Sequence, residues 1–144
     1  MKTKFYLAKC QNCSTSFNIP TLSDMAYGEF IAMSTQGKDY LFFNAIESSE
    51  WTFLSQYLNK HVNSNIQWLI SECMDKVNNE KLSIIDKPKC PNCQENHLRT
   101  IKDISEAFLE LKEVSFDSFN SLNDEEKILF LDQLLQQVHL KAEQ

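Results

Sequence analysis

The 144-residue chain holds only two glycines, Gly28 and Gly37, and three prolines. Phosphate-cradling loops and dinucleotide-binding turns need several glycines at fixed spacing, so neither can be built here. Long apolar runs are missing as well. None exceeds four residues, as in Ile128-Leu129-Phe130-Leu131, whereas a bilayer-crossing helix takes about 18 to 20. No membrane association is therefore expected. The opening run, residues 5–8, closes at Lys9 and is too short for the apolar centre of a secretory signal, so a cytoplasmic location is expected. No His-Glu-x-x-His, Gly-x-Ser-x-Gly or paired-carboxylate signature occurs, which points away from an enzyme.

What is present fits a folded chain. An apolar share of 42% with 24% charged residues supports a packed core rather than disorder, and the length is that of a single domain, 1–144. The net charge of -6 is unevenly spread. Residues 1–20 and 87–102 each carry +3, residues 21–86 carry -5 and residues 103–144 carry -7. The molecule is acidic with two basic segments, and those segments hold all the paired cysteines.

Periodicity outlines the elements. Residues 4–8 read as a short aromatic strand, and residues 29–34 and 39–44 as a β-hairpin closed by Thr35-Gln36-Gly37-Lys38. Trp51, Leu54, Tyr57 and Leu58 fall on one face of a helix capped by Ser48 or Ser49. Ile66, Leu69, Ile70, Cys73 and Val77 form the stripe of a second helix, capped by Asn63 or Ser64 and ended by Asn78-Asn79. Residues 82–85 and 97–104 read as strands, and residues 107–116 as strand or irregular chain. The last helix starts at Ser121 or Asn123, carries Asp124, Glu125 and Glu126 at its positive end, and turns Ile128, Leu131, Leu134, Leu135 and Val138 inward.

The strongest signal is in the cysteines. Cys10-Gln11-Asn12-Cys13 and Cys90-Pro91-Asn92-Cys93 each offer two sulfurs from one tight turn, and four thiolates complete a closed tetrahedral zinc site. With 76 residues between Cys13 and Cys90, the metal would act as a long-range clamp. Closing so long a loop costs about 4 to 5 kcal/mol of chain entropy, against about 10 to 16 kcal/mol from binding a structural zinc. The ion outweighs the entropy. Lys9 and Lys89 precede the first cysteine of each pair and offset the negative charge of a four-thiolate centre. Other readings stay open: a redox-active dithiol or disulfide, a metal other than zinc, and mixed ligation in which His97 replaces a cysteine. Cys73 reads as a core residue, and His61 and His139 as surface residues.

At these residues the chain resembles the zinc-ribbon class: strand, cysteine knuckle, strand, then a second knuckle flanked by strands. The resemblance implies an α+β fold. A split four-cysteine ribbon would form from about 4–20 and 82–104, with a β-hairpin and two helices inserted in 21–81 and a C-terminal region, 105–144, ending in a helix. Ribbon knuckles often place glycine just after the second cysteine, where a positive φ is wanted. Ser14 and Gln94 stand there instead, so one knuckle is expected to be distorted or to use another turn.

The expected role is non-enzymatic binding of a basic protein partner by an acidic face, with one structural Zn2+ holding the chain ends together. Complementary charge selects such a partner and speeds encounter. The face would draw on Glu47, Glu50, Glu72, Asp75, Asp124, Glu125 and Glu126. In size and charge the chain is similar to bacterial immunity proteins, which neutralise toxic nucleases. The alternative that the ribbon resemblance implies is a nucleic-acid-binding protein of the transcription or translation machinery, contacting its ligand through the basic knuckle segments.

Overall fold

The computed structural model describes residues 2–21, 27–59, 65–84, 87–102 and 108–142, with side chains as far as residue 138. His61, the cap candidates Asn63 and Ser64, and residues 85, 103, 104 and 107 of the expected strands lie outside the described residues, as does the His139 side chain. In chain order the elements are β1 (Lys2–Cys10), β2 (Ser16–Pro20), β3 (Glu29–Ser34), β4 (Tyr40–Asn44), α1 (Ser49–Leu58) and α2 (Ile66–Cys73). They continue with β5 (Leu82–Ile84), β6 (Leu98–Lys102), β7 (Phe108–Glu110), α3 (Asp117–Asn120) and α4 (Asp124–Ala142). The fold is α+β, with seven strands in two sheets and four helices among the described residues.

β1 organises the first sheet. It pairs antiparallel with β2 along one side, setting Phe5 against Pro20 and Lys9 against Ser16. On its other side its C-terminal half pairs with β6, with Lys9 opposite Arg99 and Cys10 opposite Leu98. Its first residues pair with β7, Lys2 facing Glu110. Cys10 therefore ends a strand held on both flanks.

The second sheet has the order β4-β3-β5. Its period of two covers both faces: Ala32, Leu41 and Phe43 turn towards the helices, while Ile31 and Phe42 pack with Leu111. The hairpin turn needs Gly37, whose φ is 77°, and Ser34 Oγ accepts hydrogen bonds from the Lys38 and Asp39 amides at 3.2 and 3.0 Å. Leu54, Leu69, Ile70 and Leu131 are fully buried in the main core, each stabilising the fold by about 1.5 to 3 kcal/mol relative to exposure.

Each long helix has a side-chain cap. Ser48 Oγ accepts from the Trp51 amide at 3.1 Å to start α1. Asn123 and Glu126 exchange bonds of 2.8 and 2.9 Å at the start of α4, a reciprocal capping box. α2 is capped by Asn65, whose Oδ1 accepts from the Gln67 amide at 2.8 Å, one or two residues later than the spacing suggests.

Three expectations need correction. α2 ends at Cys73, because Met74 is extended and the Asp75 amide donates to Ser115 O at 2.9 Å. Val77 thus leaves the helix and opens a tight turn whose Asn78 and Asn79 have φ of 51° and 65°. β5 joins the second sheet by pairing with β3, so it does not flank the second knuckle as a ribbon strand, because Leu82 belongs to the main core. On α4, Ile128 and Val138 are each 44% exposed while Phe130 packs inward, so the buried stripe is rotated from the expected one. The short α3 has no counterpart in the periodicity.

Candidate metal centre

The two knuckles are built alike. In the first, the Ser14 amide donates to Cys10 O at 2.9 Å and the Cys10 amide to Thr15 O at 2.9 Å. In the second, the Gln94 amide donates to Cys90 O at 2.9 Å and the Cys90 amide to Glu95 O at 2.8 Å. Ser14 and Gln94 have φ of 66° and 70°, so neither knuckle is distorted by lacking glycine. Both side chains simply adopt the left-handed backbone, at a cost of about 1 to 2 kcal/mol each.

The topology brings the knuckles together. The Gln11 amide donates to His97 O at 2.8 Å, just ahead of β6. The second knuckle is anchored to the β3–β4 turn by Lys89 Nζ, which donates to Thr35 O at 2.8 Å, and by Gln94 Nε2, which donates to Gln36 O at 2.9 Å.

All four predicted sulfurs converge. The Sγ atoms of Cys10, Cys13, Cys90 and Cys93 lie within 4.8 Å of one another. Cys10 and Cys93 are 3.5 Å apart, and Cys13 and Cys90 are 3.6 Å apart. A tetrahedron with metal–sulfur bonds of about 2.3 Å has edges of about 3.8 Å, so the donor set fits one tetrahedral ion. The cysteines are free thiols, not disulfides. His97 is exposed and outside the cluster, which removes mixed ligation. The chain leaves Cys13 for β2 rather than a helix, unlike a thioredoxin-type dithiol.

Cys10 and Cys90 are fully buried, while Cys13 and Cys93 retain some exposure. Hydrogen bonds from the Thr15 hydroxyl and the Asn92 amide hold the Cys13 thiol down at about 5. The Cys10 thiol is pushed up to about 11: its backbone bond at Cys13 opposes the rise, while burial and the neighbouring Cys93 and Cys13 sulfurs drive it. A divalent cation at the centre would favour the thiolate form of its sulfur ligands.

The polar groups on the sulfurs were not among the predicted site residues. Asn12 Nδ2 donates to Cys93 Sγ at 3.6 Å and Asn92 Nδ2 to Cys13 Sγ at 3.5 Å. The signal was there to read, since asparagine occupies the same place in both motifs. Cys73, by contrast, is buried in the main core at the end of α2, and burial, followed by the Glu72 and Glu50 charges, pushes its thiol up to about 12.

The acidic candidates differ in their contacts. Glu50 accepts from Ser48 and Asn120 at 2.8 Å each, Glu126 belongs to the α4 cap, and Glu72 pairs with Lys81 at 3.5 Å. Asp75 accepts from the Ser115 hydroxyl and from the Asp117 and Ser118 amides at 2.6 to 3.1 Å, fixing the start of α3. Glu47, Asp124 and Glu125 are exposed. No helix among the described residues is long and apolar enough to cross a membrane. The chain matches no protein-family model, no curated protein and no solved structure.

Proposed function

We propose that Cys10, Cys13, Cys90 and Cys93 hold one structural Zn2+, closing a split zinc ribbon made of β1, β2, β6 and the two knuckles. The convergence of four sulfurs from two distant motifs carries this reading. Four protein donors leave no position for water or substrate, so the ion supplies stability rather than chemistry, and the protein acts by binding, without catalysis. Zinc analysis of the purified chain tests this, with one ion per chain expected.

The partner in this proposal is a basic protein in the cytoplasm, as immunity proteins have in toxic nucleases. The supporting surface lies on α4. Asp124 and Glu125 are exposed one turn before Ile128 and Leu129, which are 44% and 59% exposed. Acid beside uncovered aliphatic side chains suits a partner with cations around an apolar patch. Titration with purified proteins encoded beside this gene should find one that binds, with affinity falling in salt and with Glu125→Lys. Salt-insensitive binding that ignores this substitution would contradict it.

A second reading has one observation in its favour. Lys9 faces Arg99 across β1 and β6, and Lys102 is opposite Leu7 on the same strands, placing three cations on one sheet where nucleic-acid phosphates can meet them. Retention of RNA or DNA in a mobility-shift assay, lost with Arg99→Ala, would favour it over the protein partner.

A further inference from the structure

Each motif sends its asparagine across to the opposite knuckle. Asn12 reaches Cys93 and Asn92 reaches Cys13, at 3.6 and 3.5 Å. The two sulfurs they reach are the partly exposed ones, whereas Cys10 and Cys90 are sealed by the fold. The relationship is reciprocal: each half of the site carries the donor for the other half's outer sulfur.

We propose, resting on the zinc reading above, that Asn12 and Asn92 are positioning residues that latch the two knuckles across the metal and set how slowly the ion leaves. A thiolate is the nucleophile in ligand exchange and the atom that competing protons or electrophiles attack. An amide N–H aimed at it withdraws charge and fixes its direction, and bonds to a charged acceptor are the stronger kind. The outer sulfurs need this most, since solvent reaches them. Each bond also spans the gap between knuckles, so losing one loosens the grip on an outer sulfur while the Gln11–His97 backbone bond still holds the halves together. Cys13 keeps the Thr15 hydroxyl at 3.2 Å when Asn92 is lost, so Asn12→Ala has the larger effect of the two.

The test uses the full-length zinc-loaded protein, with metal content measured first. Zinc transfer to excess 4-(2-pyridylazo)resorcinol is followed in the wild type and in Asn12→Ala, Asn92→Ala and Asn12→Asp. One zinc per chain is expected throughout. Release should be at least about tenfold faster in Asn12→Ala, the scale at which partners of metal ligands act, and faster still in Asn12→Asp, which sets a carboxylate against a thiolate. In cobalt-substituted protein the sulfur-to-metal charge-transfer band should move to lower energy, because a sulfur without its donor is more electron-rich.

Release rates and band positions within twofold of the wild type, at full zinc loading, would overturn the inference and leave the zinc reading standing. A wild-type chain that binds no metal would overturn both. If a variant does not fold, the wild type alone decides. Loaded with cadmium-113, it should show scalar coupling from the Asn12 and Asn92 side-chain amide protons to the metal, and absence of that coupling contradicts the latch.

Discussion

Ser14 and Gln94 share one backbone conformation, φ 66° and 70°, at the same step of the two knuckles. Their side chains differ in consequence. Ser14 is exposed, whereas Gln94 Nε2 reaches Gln36 O at 2.9 Å and Pro91 O at 3.2 Å. Ser14→Gly should therefore stabilise the protein by about 1 kcal/mol, relieving left-handed strain. Gln94→Gly should be neutral or destabilising, because the lost hydrogen bonds offset the relief. Guanidinium unfolding of both variants measures the difference, and equal stabilisation would contradict the tether.

Gly37 stands at the other end of that tether. A Cβ there would lie 3.0 Å from Lys89 O, and the φ of 77° disfavours any side chain. Gly37→Ala should cost about 2 kcal/mol or more, combining backbone strain with a contact that must shift. Thermal unfolding of the zinc-loaded protein checks it.

Much of this was legible in the residues. Both knuckles, the β3–β4 hairpin and the caps of α1 and α4 follow from local spacing, because neighbours in sequence decide them. β5 was misplaced because three residues cannot say which sheet they join, and only Leu82 meeting the main core decides it. The end of α2 was set from a distance, by Asp75 turning to the start of α3. The reciprocal asparagines lie in plain view in both motifs, but their crossing depends on how the knuckles face each other.

Asp75 couples this fold to pH. Burial opposes ionisation of its carboxyl, but the Ser115 hydroxyl and the Ser118 and Asp117 amides outweigh it and hold the carboxyl below its ordinary value. A lowered folded-state pKa means the contribution is present above about pH 4, the unfolded value, and fades as pH falls through the folded one. Asp75→Ala should lose about 1 kcal/mol at neutral pH, as helix caps do, and progressively less in acid. Denaturation at pH 7 and pH 3 tests the sign.

Cys73 should behave as a core atom, not a site. Alkylation of the native protein should leave it unmodified, given its burial and a thiol pushed up to about 12. Cys73→Ala should cost about 1 to 2 kcal/mol through lost packing and leave metal content unchanged. Rapid labelling of Cys73 would contradict its place in the core at the end of α2.

Metal content tests the central claim most directly. Native mass spectrometry of reduced, purified protein should show one zinc per chain, absent from Cys10→Ser and Cys93→Ser, both of which should lose folded structure. A folded wild-type chain carrying four free thiols and no metal, or the same four cysteines joined as disulfides, would contradict it.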